Sequence, residues 1–215
     1  SSIGIAGAAW VGAAVVLLVI TAVGQRIKDI MVILILGMMF SSGVGAVVQI
    51  LQYIANDESL KMFVIWTMGA LGDVTAQQLA IFVPSVLVGL LLAVITIKSL
   101  NLLLFGEEYA ITMGLNIQRS RGLLFLSTTL LAGTITAFCG PIGFIGLAMP
   151  HVTRMLFQNS DHHVLLPGTI LSGASILLLC DIISKIFTLP INAITALLGI
   201  PIVVWVVLRN KSITA

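Results

Sequence analysis

Seven apolar segments separated by short polar breaks organise the chain. They run over about 3–23, 30–55, 76–97, 122–139, 144–157, 164–187 and 192–208. At about 1.5 Å per residue, the second is long enough to cross a bilayer with some tilt. The fifth is too short for a full crossing and carries Pro150-His151, so the pattern predicts a partial or broken helix there. Between segments, 24–29 reads as a polar turn, and 56–75 as a polar stretch holding Asp57, Glu58, Lys61 and Asp73 around Trp66. The run Cys139-Gly-Pro-Ile-Gly143 is a sharp break. The pattern predicts an all-α membrane bundle of about seven transmembrane segments, one domain over 1–215.

Composition narrows the class. The chain is 59% hydrophobic and only 8% charged, with a mean hydropathy of +1.19, whereas soluble domains carry about 25% charged residues. An ordinary soluble domain is excluded. The chain opens directly into an apolar run without an initiator Met, as a processed product or a piece of a longer protein would. Alternating the loops between two sides sorts the basic residues. Arg26, Lys28, Lys98, Arg119, Arg121, Arg154, Arg209 and Lys211 fall on one side, and only Lys61 and Lys185 on the other. This bias predicts that 24–29, 98–121, 154–163 and the C-terminus face the cytoplasm.

The stretch 98–121 stands apart. Lys98, Glu107, Glu108, Arg119 and Arg121 gather five of the eighteen formal charges into 24 residues. We read it as a long charged loop: 98–105 leading in, a short helix at about 107–113, and a stop at Gly114. Glu107 and Glu108 would occupy the first turn, where the helix dipole favours carboxylates, and Gly114 suits the left-handed residue that ends a helix. A short capped helix between two membrane spans has no role inside the bilayer. We read it as a handle for a partner protein.

Candidate chemistry is thin. Cys139 and Cys180 lie in or beside apolar runs and read as buried small side chains. His162-His163 follows Asp161 in a predicted turn, where capping or exposure competes with a metal or proton role. His151 follows Pro150 and reads as satisfying carbonyls freed by the proline. Asp181 lies deep among Leu177–Leu179, Ile182 and Ile183; Lys185, four residues on, shares its helix face. The two form either a structural ion pair or an element of a translocation path. Gly4, Ala8 and Gly12, and again Gly37, Ser41 and Gly45, recur every four residues and predict close helix approach; in the latter helix Gln49 and Gln52 leave a wet pathway open. No catalytic or metal signature is found, and no phosphate-cradling Gly-rich loop. A transporter or anchor without its own catalytic centre follows, with a secondary transporter or the membrane anchor of a redox complex as alternatives.

Several runs then converge on one family. Gly106-Glu-Glu-Tyr-Ala-Ile-Thr-Met-Gly114 resembles the coupling-loop motif of the FecCD permeases of ATP-binding-cassette (ABC) importers for iron–siderophore, haem and cobalamin. The runs 140–154 and 161–168, with Ser172-Gly-Ala174 and Asp181, are similar to the family's signature, as are Leu189-Pro190, Thr195-Ala196, Gly199-Ile-Pro201 and, upstream, Trp66-Thr-Met-Gly69. The family usually has an acidic residue before the Leu-Pro pair and a glycine after it; here Thr188 and Asn192 stand there. The resemblance implies the last seven of about ten helices of a type II importer permease in the inner membrane. It implies a second permease copy (homodimer or heterodimer), cytoplasmic ATPases carrying ATP and Mg, and a periplasmic or lipoprotein substrate-binding protein; the chain itself would hold no cofactor. It places ATPase contact at Glu107, Glu108, Ala110, Met113 and Gly114, a cytoplasmic gate at Asp29, Ile30 and Met31, and a pathway at Gly37, Ser41 and Gly45.

Overall fold

The computed structural model describes residues 2–26, 30–72 and 74–211, with side chains described for 7–16, 18, 19, 22, 31, 32, 35–72 and 74–205. Among the described residues the chain forms ten helices and no strand. They are α1 (Ser2–Arg26), α2 (Ile30–Ile54), α3 (Asp57–Met68), α4 (Ala76–Ile95), α5 (Ile97–Leu103), α6 (Glu107–Thr112), α7 (Ile117–Cys139), α8 (Ile145–Phe157), α9 (His162–Phe187) and α10 (Ile191–Lys211). Stretches in α2, α4, α7 and α9 are long and apolar enough to cross a membrane.

The seven apolar segments are all helical, and the structure adds to them. The polar stretch 56–75 contains α3, whose first turn is capped by Asn56 Oδ1 accepting from Ser59 N at 3.0 Å. What reads as a loop at 98–121 is mostly helix. α5 continues from α4 after a single junction residue, Thr96, and α7 starts at Ile117, capped by Asn116 Oδ1 accepting from Arg119 N at 3.0 Å. α8 is not broken. Pro150 is its sixth residue, so only the hydrogen bond to the Gly146 carbonyl is forfeited and the helix runs on to Phe157. Its 13 residues span about 20 Å, short of the roughly 30 Å hydrocarbon core.

Helices meet where a glycine lets a partner side chain approach, in three of the four cases beside a hydroxyl. In lipid, apolar side chains gain little by leaving their surroundings, so close backbone approach and interhelical hydrogen bonds set the contacts. α7 is the hub. Gly89 of α4 lies so near it that a Cβ there would sit 2.6 Å from Leu131 Cγ, and Ser127 Oγ donates to the Gly89 carbonyl at 2.8 Å. α1 docks by Trp10, which covers Gly133 and donates from Nε1 to Thr134 Oγ1 at 2.9 Å. Within this chain the contact of α1 with α7 is therefore not made by Ala8 or Gly12. Ala8 is exposed, nothing lies within 4 Å of a Cβ placed on Gly12, and the side-chain position of residue 4 lies outside the described residues. α8 and α9 pair through Gly168 against Thr153 and Phe157, with Thr153 Oγ1 and Ser172 Oγ 2.9 Å apart. α10 closes on Phe144 at Gly199.

The bundle has two chemically distinct ends. At one, the Ala70 N–H donates to the Cys139 carbonyl at 3.0 Å, and Asn192 Nδ2 donates to the carbonyls of Thr67 (2.7 Å) and Pro141 (3.0 Å). The turns 69–75, 139–143 and 188–192 thus gather there. At the other end Asn101 bonds to Asp161, bringing α5, α6 and the start of α7 beside the α8–α9 turn. Lys98, Arg119, Arg121 and Arg154 lie at this second end and Lys61 and Lys185 at the first, matching the segregation read from the sequence.

Candidate functional site

The second end is built around α6. Gly106 enters it at φ +98, and the Ala110 N–H donates to the Gly106 carbonyl at 3.1 Å. The exit has two nested bonds. Leu115 N–H reaches the Ala110 carbonyl at 3.0 Å and Gly114 N–H the Ile111 carbonyl at 2.9 Å, with Gly114 at φ +84. This is the glycine-terminated motif that satisfies the last carbonyls of a helix, and it needs the left-handed residue the sequence places there.

Three ties hold the α5–α6 pair to the membrane helices. Glu107 forms an ion pair with Arg121 of α7. Ser120 Oγ of α7 donates to Ser99 Oγ of α5 at 3.2 Å. The third is Asn101 of α5, which sequence reasoning missed. Its Nδ2 donates to Asp161 Oδ1 at 2.6 Å, and its Oδ1 accepts from the His162 N–H at 2.9 Å. His162 Nδ1 lies 2.7 Å from that same oxygen, so Nδ1 carries the hydrogen, because an amide oxygen only accepts. Asp161 is the N-cap of α9 and takes the His163 N–H at 2.8 Å. Asn101 therefore clasps the first turn of a helix that crosses the whole bundle.

Hydrogen bonds from the His163 backbone and ring and from Asn101 hold the Asp161 carboxyl down at about 2, against an ordinary 3.8. With the folded value depressed, the cap's contribution is complete above the ordinary value and is lost as pH falls toward 2. The Asp161 carboxylate is therefore charged at every physiological pH. Thermal melts should lose this contribution between pH 4 and 2 in the wild type and show no such step in Asp161→Asn.

Facing away from these ties, α6 presents Glu108, Tyr109, Ile111 (58% exposed) and Met113 (59%), extended by Phe105 (73%), whose ring centroid lies 5.5 Å from that of Tyr109. Of the residues the resemblance assigns to partner contact, Glu107, Glu108, Met113 and Gly114 are exposed. Ala110 is not. It is fully buried where α6 sits on its neighbours, so it serves as a spacer rather than a surface contact. Tyr109 and Ile111 join the exposed face in its place; the 3.6-residue period, applied to so short a helix, was the signal available.

The other sequence candidates lie elsewhere. Asp29 falls outside the described residues, as does the side chain of Ile30; Met31 is exposed at the start of α2. Nothing in the chain lies within 4 Å of a Cβ placed at Gly37 or Gly45, and Ser41 is exposed. Asp181 and Lys185 do pair, at 2.7 Å, with the Asp181 side chain 15% exposed. Asp181 lies about two turns from the C-terminal end of α9, and Lys185 within one turn of it. His151 is exposed and makes no hydrogen bond among the described residues, so it does not satisfy freed carbonyls as expected. Both cysteines are buried thiols, and no metal-holding cluster of His, Cys, Asp or Glu occurs among the described residues.

A family model described as the FecCD transport family matches residues 1–209. The chain belongs to the FecCD transport family. Among FecCD relatives, the hemin transport system permease protein HmuU of Yersinia pestis is 36% identical over 83% of this chain and 54% of its own length. The vitamin B12 import system permease protein BtuC of Klebsiella pneumoniae is 39% identical over 74% of this chain and 49% of its own. The chain thus spans about half the length of the curated relatives it matches. A solved ABC transporter assigned to the metal-chelate type, in an inward-facing conformation, superposes with a TM-score of 0.73 at 29% identity, covering 97% of this chain and 72% of that one. This FecCD chain is a multi-pass membrane protein of a transport family.

Proposed function

We propose that this chain forms part of the permease of an ABC importer that carries a metal chelate across the inner membrane, of the iron–siderophore, haem or cobalamin class. The observation that carries this reading is the α6 face. Its aromatic and apolar side chains stand exposed beside Glu108 at the charge-rich end of a membrane bundle. Lipid does not solvate such a mixture; a protein groove does. Apolar anchors within a polar rim are what protein interfaces bury. That end is cytoplasmic by the positive-inside bias, with the C-terminus on the same side. ATP and Mg belong to ATPase subunits seated on α6, and the α3 end meets a substrate-binding protein. Asp29, Ile30 and Met31 form a cytoplasmic gate. Gly37, Ser41 and Gly45 border the pathway or a second permease copy, in keeping with the open face of α2. Nucleotide-driven closure of the ATPases moves α6, and the helices rock between two arrangements.

Co-purification with the cognate ATPase tests the handle. Truncating a hot-spot side chain costs about 2 kcal/mol or more, so Glu108→Ala/Ile111→Ala/Met113→Ala, which removes at least one such anchor, should weaken the complex by roughly tenfold or more. Glu107→Ala/Glu108→Ala/Met113→Ala should do so too, with additional loosening of α6 from α7. Undiminished co-purification of both triple variants would show that α6 is not the docking surface.

A further inference from the structure

A cleft of about 220 Å³ opens between α8 and α9 at the α6 end. Pro150, His151 and Arg154 line it from α8; His162, Leu165, Leu166 and Thr169 line it from α9. We propose that this cleft holds the phosphate of an anionic phospholipid from the leaflet on that side. The proposal rests on the chain's being membrane-embedded and not on ATPase docking.

Four observations of the polar groups carry it. The lining contains Arg154 and two imidazoles and no carboxylate. Asp161, the carboxylate beside it in sequence, is engaged by Asn101 and His163. Among the described residues Arg154 has neither a hydrogen bond nor an ion pair, and His151 has none either. A guanidinium with an unused planar fork matches phosphate oxygens bidentately. His162 spends Nδ1 on Asn101, which fixes its ring and leaves Nε2 for another partner.

The walls distinguish a lipid from a free anion. Pro150, Leu165 and Leu166 are apolar, and the grooved faces run on toward the bundle's middle through exposed side chains. Leu147, 67% exposed, lies one and two turns from His151 and Arg154 on α8; Ile170 lies one turn beyond Leu166 on α9. A cationic mouth over an apolar track suits a headgroup with acyl chains below it, and basic pockets at helix ends bind such headgroups. Inorganic phosphate has no use for the track.

The test is lipid retention by the intact purified protein, read by native mass spectrometry after exchange into mixed micelles of phosphatidylglycerol and phosphatidylcholine, with inorganic phosphate as a separate arm. Phosphatidylglycerol should be retained about fivefold over phosphatidylcholine. Arg154→Gln should abolish the preference, His151→Gln should reduce it, and Lys98→Gln, at the same end but outside the cleft, should keep it. If Arg154→Gln does not fold, the His151→Gln and Lys98→Gln pair decides. Equal retention of the two lipids, full competition by millimolar phosphate, or an unchanged preference in the cleft variants would overturn the proposal. So would loss of ATPase co-purification by Arg154→Gln with lipid retention unchanged, since the cleft would then belong to a protein partner.

Discussion

Gly140→Ala should leave almost no folded protein. Gly140 sits at φ +81, and a Cβ there would lie 2.3 Å from the Trp66 carbonyl oxygen and 3.1 Å from Gly69 Cα. Both neighbours are backbone, so no side chain can swing away. They belong to the end of α3, which the Ala70 N–H and the Cys139 carbonyl bind to this turn at 3.0 Å. The φ of +81 with ψ 176 at Gly140 lies in a region kept essentially for glycine, which costs another residue about 1–3 kcal/mol, and forced overpacking costs about 1–3 kcal/mol more. Domains have only about 5–15 kcal/mol in total, and α3 must move to relieve the clash. Gly143→Ala is the control, three residues along the same turn with nothing within 4 Å of its Cβ. Yield and melting temperature in detergent are the measurement. A Gly140→Ala protein that melts with the Gly143→Ala control would mean that α3 is not held against this turn.

This example also shows what a single chain of letters carries and what it hides. Gly114 announces itself, because a helix terminus needs a left-handed residue just there and the polar run around it marks the element. The Asp181–Lys185 pair is equally local, one turn of helix apart. Helices with mixed polarity are harder. α3 places Asp57, Glu58 and Lys61 among Met62, Phe63 and Trp66, and so reads as a loop by charge although Asn56 caps it as a helix. α5 has no side-chain cap at its start, and its joint with α4 at Thr96 leaves no turn signal.

Stripes of small residues mislead in the opposite direction. Spacing says that Gly4, Ala8 and Gly12 permit close approach, but it does not say to what. Among the described helical glycines, close approaches occur at Gly89, Gly133, Gly168 and Gly199, each chosen by the partner side chain that fills the space: Leu131, Trp10, Thr153 with Phe157, and Phe144. Those partners are up to 123 residues away, Trp10 from Gly133, and no periodicity links them. Asn101 was hidden for the same reason. It is one amide in an apolar run, and its meaning lies 60 residues later at Asp161.

Asn101→Leu should separate the two halves of the proposed mechanism: the ATPase still docks, and transport fails. Leucine nearly keeps the volume of the side chain while removing its bonds to Asp161 and to the His162 backbone and ring. α6 itself loses nothing. Its glycine-terminated exit, its ion pair with Arg121 and its exposed face are all made by other residues. α9 keeps its cap through the His163 N–H. What disappears is the joint through which displacement of α5–α6 reaches the start of α9. Couplings between sites are typically worth about 1–3 kcal/mol, so transport per ATP hydrolysed should fall about tenfold. Asn101→Gln, which retains the amide, should restore part of it. The ratio of transport to hydrolysis in proteoliposomes is the decisive quantity, because a merely destabilised protein loses both together. An unchanged ratio in Asn101→Leu would dismiss the joint while leaving the α6 docking surface standing, whereas loss of ATPase binding would mean that Asn101 shapes the handle rather than transmits from it.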